Sequence, residues 1–178
     1  MAAFEWANEV FVSEMPAPKR VAPLSLAYEA DVLAFGEAVG TGRLIILYNP
    51  SGNDSWEGDI RIVTYSTAKV DMEMVTDPML SEVGWSWLTE SLESHQVGYH
   101  CESGTVTTMS SRSFGSLHGV DDKAEIEIRA SWTPQLVEPK QIQDHLAAWQ
   151  DLLCLTASVE RLPAGIVSLA PRIKRVIS

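Results

Sequence analysis

Two segments of the chain share a strand-then-helix pattern, and this pattern constrains the fold more than any other feature. Residues 60–72 and 124–132 both read as strands, the second with a strict alternation of apolar and polar side chains. Amphipathic helical patterns follow at about residues 77–93 and 139–155. A long strand followed by a helix, twice, predicts an α+β domain with two main helices packed on an antiparallel sheet. The two units also suggest a pseudo-two-fold.

Four other stretches are patterned as strands, which fills out the predicted sheet. Residues 24–32 alternate between apolar and polar side chains, and residues 10–12 form a brief apolar run. Residues 44–48 are continuously apolar, which favours a central strand covered on both faces. Residues 105–114 are rich in Thr and Ser, so we expect a hydroxyl-bearing strand there.

The length and composition of the chain predict one domain. It has 178 residues, of which 46% are apolar, so a sizeable core can form. We therefore expect a single globular domain over residues 1–178, with residues 1–13 and 164–178 fitting the pattern least.

The charge of the chain argues against nucleic acid as a partner. The formal net charge is −11, and the 13 Lys and Arg residues are scattered along the sequence. An acidic surface repels phosphate backbones, so we expect no direct binding of nucleic acid.

Three features of the sequence bear on where the protein acts. Its first residues lack the basic start and apolar core of a secretory signal. No stretch approaches the roughly 18 consecutive apolar residues of a membrane span. Cys101 and Cys154 are too few for a disulfide framework in a chain of this size. We expect a cytoplasmic protein with reduced thiols and no membrane contact.

The motifs that mark catalytic and cofactor sites are missing from the sequence. His100 and Cys101 are neighbours, and neighbours on a strand point to opposite faces, so we expect no thiol–imidazole pair. His118, Asp121 and Asp122 share a loop, yet they lack the spacing that marks metal sites. We therefore expect no catalytic residues, no cofactor and no metal ion.

A cluster of hydroxyls beside a guanidinium is the strongest candidate for a binding site. Hydroxyls and a guanidinium are groups that bind carboxylates and phosphates, and four consecutive residues supply them: Ser110, Ser111, Arg112 and Ser113. Arg129 adds a second positive charge if its strand pairs with theirs, although Glu125 and Glu127 share its face and offer salt bridges. The alternative is an edge strand without a ligand. Replacing Arg112 with Ala separates the two, because only a ligand site would lose binding.

Two tryptophans on the first predicted helix form the candidate interface. Trp85 and Trp87 are two positions apart, so they point about 160° away from each other on a helix. If one packs on the sheet, the other meets a second element or a partner, and we expect a protein partner or a homodimer. The alternative is that both belong to the core, where aromatic side chains stabilise most.

Five segments of the chain are distinctive as a set: Gly84-Trp-Ser-Trp-Leu-Thr89, Gly104-Thr-Val-Thr107, Ser110-Ser-Arg-Ser-Phe-Gly115, Glu125-Ile-Glu-Ile-Arg-Ala-Ser-Trp-Thr-Pro134 and His145-Leu-Ala-Ala-Trp-Gln-Asp-Leu-Leu-Cys154. Together they resemble an uncharacterised actinobacterial family catalogued as domain of unknown function number 3000. The resemblance is collinear from about Glu14 to Pro163. It implies a cytosolic protein, and it supplies no activity, cofactor or catalytic residue.

Three hypotheses for function follow. The leading one is a non-enzymatic binding or regulatory protein that acts through protein–protein contacts. The second is a binder of a small anionic ligand, or an enzyme acting on one, that uses the Ser/Arg-rich strand. The third is an adaptor for an RNA-processing enzyme, in which the acidic surface contacts a basic protein instead of RNA.

Overall fold

The computed structural model describes residues 4–117 and 121–158, which form a six-stranded antiparallel sheet and two α-helices. The strands are β1 (Val10–Met15), β2 (Leu24–Ala34), β3 (Glu37–Asn53), β4 (Gly58–Lys69), β5 (Gly98–Ser111) and β6 (Lys123–Gln135). The helices are α1 (Leu80–Ser94) and α2 (Ile142–Thr156), with 3-10 turns at Met74–Thr76, Gly115–Leu117 and Pro139–Gln141. Neither α-helix is long and apolar enough to cross a membrane. The predicted α+β fold is confirmed.

The strands follow the order β1-β2-β3-β4-β6-β5, and every neighbouring pair is antiparallel. β1 to β4 are neighbours in sequence and in space, as is usual for antiparallel strands joined directly. α1 carries the chain from β4 to β5 at the far edge, and β6 then returns to pair between these two strands. The units β4–α1 and β6–α2 start from adjacent strands, and a pseudo-two-fold relation between them stays a prediction.

Both helices pack on one face of the sheet, to which the even-numbered residues of β4 and β6, and of the regularly paired parts of β2, β3 and β5, bring their side chains. Ile62 lies opposite Trp132, and Val106 lies opposite Ile128. α1 packs on β5, α2 packs mainly on β3 and β4, and the two helices contact each other. Trp132 and Trp149 are fully buried in the resulting core.

A buried histidine joins α2 to the sheet. The Nε1–H of Trp132 donates to Nδ1 of His145 at 3.2 Å, and the two rings stack with centroids 6.4 Å apart. Burial lowers the pKa of His145 from 6.5 to about 4, so the ring is neutral at physiological pH. The histidine therefore acts in the core as a neutral hydrogen-bond acceptor.

The odd-numbered residues of the same regularly paired segments line the opposite face, here called the uncovered face because neither of the two described helices packs on it. The prediction that residues 44–48 are covered on both faces therefore fails for part of the strand. Leu44 is buried on the helix side, whereas Ile45 points to the uncovered face and is half-buried. A continuous apolar run marks a central strand, but it does not reveal how many layers cover that strand.

Candidate functional site

Arg61 is a buried cation on the uncovered face. It lies on β4, and the residue is 8% exposed, although arginine is rarely buried in proteins. Its guanidinium donates four hydrogen bonds, to the backbone oxygen of Cys101 at 2.8 Å, Thr133 Oγ1 at 3.0 Å, Ser103 Oγ at 3.2 Å and Ser131 Oγ at 2.8 Å. β5 and β6 supply all four acceptors, so the arginine ties three strands together.

The charge of Arg61 interacts with the carboxylate of Glu102 through space and is not paired with it in a salt bridge. All four acceptors are neutral oxygens, and Arg61 forms no salt bridge with any residue that the structure describes. Burial lowers the pKa of Arg61, yet an arginine stays protonated in proteins. Because a buried charge is costly unless it is paired, this position favours an anion nearby.

A shallow depression of about 950 Å³ lies next to Arg61 on the uncovered face. Ser103 and Ser131 belong both to its lining and to the hydrogen-bond partners of Arg61. Two further cations, Arg43 and Arg129, contribute to the lining. None of the 13 lining residues is acidic, although the chain contains 24 Asp and Glu residues. The depression is thus a locally basic surface on an acidic protein.

The two exposed arginines of the depression differ in how they are held. Arg129 Nε lies 2.7 Å from Glu127 Oε1, and its guanidinium carbon lies 5.5 Å from the ring centroid of Tyr65. The hydroxyl of Tyr65 donates to the other carboxylate oxygen of Glu127 at 3.0 Å. Arg43 forms no salt bridge within the described part of the chain. The charge of Arg43 is therefore the less compensated of the two, whereas the side chain of Arg129 is held in place by Glu127 and Tyr65.

The Ser/Arg cluster predicted from the sequence lies at the end of a strand. Ser110 and Ser111 are the last residues of β5 and are exposed, and Arg112 and Ser113 follow them. Arg112 Nε lies 3.6 Å from a carboxylate oxygen of Asp122, and both side chains are largely exposed. This arrangement resembles a solvated strand end with a loose ion pair.

Arg129 does not join that cluster, although β5 and β6 do pair. Arg129 lies opposite Thr105, and Ser110 lies opposite Ala124. Five residue positions separate the two levels of the sheet, which is roughly 17 Å along a strand. The structure thus places Arg129 in the depression and leaves the other four predicted ligands outside it. The predicted salt bridge between Arg129 and Glu127 is present.

The two tryptophans of the candidate interface both pack against the core. Trp85 and Trp87 are half-buried. A Cβ atom placed on Gly104 of β5 would lie 2.7 Å from the ring of Trp85, so the indole packs directly on the strand. Both indoles are therefore partly covered by the rest of the chain, and an interface through these residues stays a prediction.

A more exposed apolar surface lies at the beginning of α2. A groove of about 610 Å³ separates this end of the helix from the adjoining ends of β2, β3 and β4. Leu26, Tyr48 and Ile142 are among its lining residues. Val137 lies at the same groove and is 89% exposed. Apolar side chains of this size and exposure, grouped around one groove, are typical of an interaction surface.

A second cluster of functional groups lies at a β-bulge in β5. Cys101 and Glu102 both lie opposite Trp132, so the pairing with β6 shifts at this point. One ligand atom each from Glu57, His100 and Cys101 lies within 4.8 Å of the other two. A carboxylate, an imidazole and a thiol are the side chains that bind transition metals in proteins.

The prediction that His100 and Cys101 point to opposite faces is wrong. β5 begins at Gly98, well before residue 105, so both residues belong to the strand. The backbone of Cys101 has a φ of 53°, which breaks the alternation of side chains. Partial burial raises the pKa of the Cys101 thiol, and so does its hydrogen bond with Glu57. His118, considered from the sequence as a metal ligand, lies outside the described residues.

The turn between β3 and β4 brings Glu57 to this bulge. Thr133 Oγ1 donates to the backbone oxygen of Trp56 at 2.6 Å, and His100 Nε2 lies 3.0 Å from the backbone oxygen of Glu57. Gly58 permits the approach, because a Cβ atom there would lie 2.7 Å from a methyl group of Thr133. The turn is thus pinned over the ends of β5 and β6.

The charged residues Arg43, Arg61 and Glu57 of these two sites were not anticipated from the sequence, and neither were the hydroxyls of Ser103 and Ser131. The strand pattern held a signal for Arg61, because Val63 and Tyr65 occupy the same face two and four positions later. A charged residue in such a row predicts a partly buried cation. Nothing local marks Arg43 or Glu57, since only the sheet register and the turn bring them to their sites.

Comparison with known proteins agrees with the resemblance carried by the five sequence segments. A family model described as "Protein of unknown function (DUF3000)" matches residues 1–167, which includes the N-terminal residues that fit the sequence pattern least. No curated protein and no solved structure matches the chain. The chain therefore belongs to the DUF3000 family of proteins of unknown function.

Proposed function

We propose that the chain is a non-enzymatic binding domain that holds a small anionic ligand, a carboxylate or a phosphate, on the uncovered face of its sheet. The observation that carries the proposal is Arg61, a buried guanidinium bonded only to neutral oxygens. An anion in the neighbouring depression would add to the field of Glu102 in compensating this charge. Since Arg61 already donates four hydrogen bonds, it acts mainly through its field.

Direct contacts would come from the exposed groups of the depression. Arg43 and Arg129 offer charge-assisted hydrogen bonds, and the hydroxyls of Ser103 and Ser131 add neutral ones. Ile45 contributes an apolar patch on which the ligand's carbon skeleton would rest. The volume of about 950 Å³ is at the upper end of what small-molecule sites occupy.

The test is isothermal titration calorimetry of the full chain with two probes, citrate and inorganic phosphate. Arg43→Ala is expected to weaken binding at least about tenfold, because a hydrogen bond to a charged group contributes roughly 1.5–3 kcal/mol. Binding of the unmodified chain should also weaken as salt is added, since the contacts are electrostatic and partly exposed.

Arg112→Ala is the matched control for this experiment. It removes the same exposed charge from a position outside the depression, so the affinity should not change. If Arg112→Ala abolished binding and Arg43→Ala did not, the ligand would belong to the Ser/Arg-rich strand. If neither probe bound at millimolar concentration, the proposal would be refuted.

A second candidate function is self-association through the groove at the beginning of α2. The groove and protruding apolar side chains, such as Val137 and Leu26, lie on one patch. A two-fold contact joins identical patches, so each must contain both a recess and a projection. A homodimer therefore fits this surface better than it fits Trp85 and Trp87, which pack on the chain's own core.

Light scattering coupled to size-exclusion chromatography tests this candidate. The unmodified chain should dimerise with rising concentration, and Val137→Asp should keep it monomeric, because a carboxylate would be desolvated in the contact. Phe35→Asp is the control, since Phe35 is 90% exposed at the β2–β3 turn and lies outside the groove. A monomer at all concentrations would exclude the dimer, and an adaptor bound to another protein would then be the remaining role for this groove.

A further inference from the structure

The cluster of Glu57, His100 and Cys101 has the composition of a metal site. Their ligand atoms lie within 4.8 Å of one another. Two atoms bound to one tetrahedral zinc ion, at about 2.0–2.3 Å each, are separated by roughly 3.5 Å. Separations of up to 4.8 Å would therefore have to shorten by about an ångström for the cluster to close around an ion.

The hydrogen bonding of His100 identifies the ring atom that is available to a metal. Nε2 lies 3.0 Å from the backbone oxygen of Glu57, and a carbonyl oxygen only accepts, so Nε2 carries the hydrogen of the neutral ring. The lone pair then lies on Nδ1. That atom is buried and has no hydrogen-bond partner among the described residues. Metal-bound histidines have this arrangement, with one nitrogen on the metal and the other donating to a carbonyl or carboxylate.

Two of the five non-glycine residues with a left-handed backbone, among those that the structure describes, belong to this cluster. Glu57 and Cys101 have φ values of 54° and 53°, in the left-handed region that residues other than glycine seldom adopt. Such conformations are unfavourable for residues other than glycine, and they are found often at functional sites. Two of the three cluster members are therefore held in unfavourable conformations, on elements that are distant in sequence.

We propose that Glu57, His100 and Cys101 bind one divalent transition-metal ion, with zinc as the best fit. A thiolate and an imidazole select zinc over magnesium or calcium. One carboxylate and one thiolate balance the two positive charges of the ion. Three protein ligands leave the fourth tetrahedral position open, as in zinc sites that bind water.

The cation would displace the proton that the Cys101 thiol donates to the Glu57 carboxylate, and this proton would be released to water. The hydrogen bonds of the nearby Arg61 go to the backbone oxygen of Cys101 and to hydroxyls, and none goes to a proposed ligand atom. This site is separate from the anion-binding depression, whose lining includes none of the three residues.

The experiment uses Co²⁺ as a spectroscopic probe for zinc on the reduced full chain. One equivalent should bind and produce the near-ultraviolet sulfur-to-cobalt charge-transfer band, and zinc should displace it. Cys101→Ser should abolish the band. Glu57→Gln should weaken Co²⁺ binding at least about tenfold, since even indirect changes around a metal site cost that much.

Two control variants make the result specific. Cys154→Ala removes the other thiol, which is buried in α2, and should keep the band. Arg43→Ala should also keep it, whether or not it binds citrate or phosphate, so failure of the anion site cannot be mistaken for failure of the metal site. If the unmodified chain gave no band, or if Cys101→Ser kept it, the proposal would be overturned. Should Cys101→Ser fail to fold, the exposed Glu57→Gln decides, and unchanged Co²⁺ affinity in that variant would also overturn it.

Discussion

Arg61 and His145 are both basic side chains in buried positions, and the protein accommodates them in opposite ways. Arg61 keeps its charge, because neutral oxygens on two neighbouring strands accept from its guanidinium. His145 gives up its charge, because it is buried against Trp132 and accepts a hydrogen bond from the indole through Nδ1. A protonated ring would carry a hydrogen on that nitrogen and would oppose the donor.

The neutral state of His145 makes stability depend on pH. Its pKa is about 4 in the folded protein, against 6.5 for an ordinary histidine, so the unfolded chain binds the proton more readily between these values. The histidine's contribution to stability is therefore complete above about pH 6.5 and is lost as the pH falls towards 4. Urea unfolding at pH 7.0 and pH 4.5 should show a loss on the order of 2–3 kcal/mol from this residue.

His145→Gln isolates this contribution. The glutamine oxygen can accept from the Nε1–H of Trp132, but the amide does not titrate in this range. Stability at pH 7.0 should fall, because the ring stacking is lost. The further loss between pH 7.0 and pH 4.5 should be smaller than in the unmodified chain. If the two proteins lost equal stability between these pH values, His145 would not be the source of the pH dependence.

At the scale of elements, the approach of α1 to β5 depends on glycines. A Cβ atom on Gly104 would overlap the backbone oxygen of Arg129 and lie 2.7 Å from the ring of Trp85. On the helix side, a Cβ atom on Gly84 would meet only methyl groups, at 3.0 Å from Val106 and 3.1 Å from Ile126. The helix therefore packs closely enough on the strand to exclude a side chain at Gly104.

Gly104→Ala should destabilise the protein by about 1–3 kcal/mol, because backbone atoms cannot move aside as side chains do. Gly84→Ala is the matched comparison. It meets only the ends of side chains and gains about 1 kcal/mol of helix propensity, so its net effect should be smaller. Urea unfolding of both variants measures the loss of stability in each. If Gly84→Ala lost as much stability as Gly104→Ala or more, the close contact at Gly104 would not be the tighter of the two.

The elements themselves were predictable wherever one face of a strand or helix is regular. The alternation at residues 124–132 and the helical pattern at residues 139–155 both correspond to observed elements, β6 and α2. The start of β5 was missed because Gly98, Glu102 and Gly104 interrupt its pattern. The bulge was missed for the same reason, since a positive φ at Cys101 has no signature in a single sequence.

At the scale of the whole molecule, the fold class was predictable and the location of the sites was not. The number and kind of elements follow from local periodicity, but strand order depends on contacts between distant segments. Arg43 and Arg61 lie on β3 and β4, which are consecutive strands, whereas Arg129 comes beside them only because β6 inserts between β4 and β5. That these three arginines share one face of the sheet could not be inferred before the strand order was known.

The distribution of charge also becomes meaningful only at this scale. A net charge of −11 predicts a surface that repels anions. The depression departs from this average, since its lining contains two arginines and no acidic residue. An acidic exterior around a basic site disfavours long anionic polymers such as nucleic acid, while a small anion can enter the depression and meet its local field.

The position of β5 at the edge of the sheet has a consequence for solubility. An edge strand presents unpaired backbone N–H and C=O groups, which another chain can extend into an intermolecular sheet. At 14 residues β5 is long enough to nucleate such pairing. The bulge at Cys101 and Glu102 bends the strand and interrupts the regular spacing of those groups. A chain that lost the bulge would gain a longer flat edge and with it a greater tendency to aggregate strand to strand.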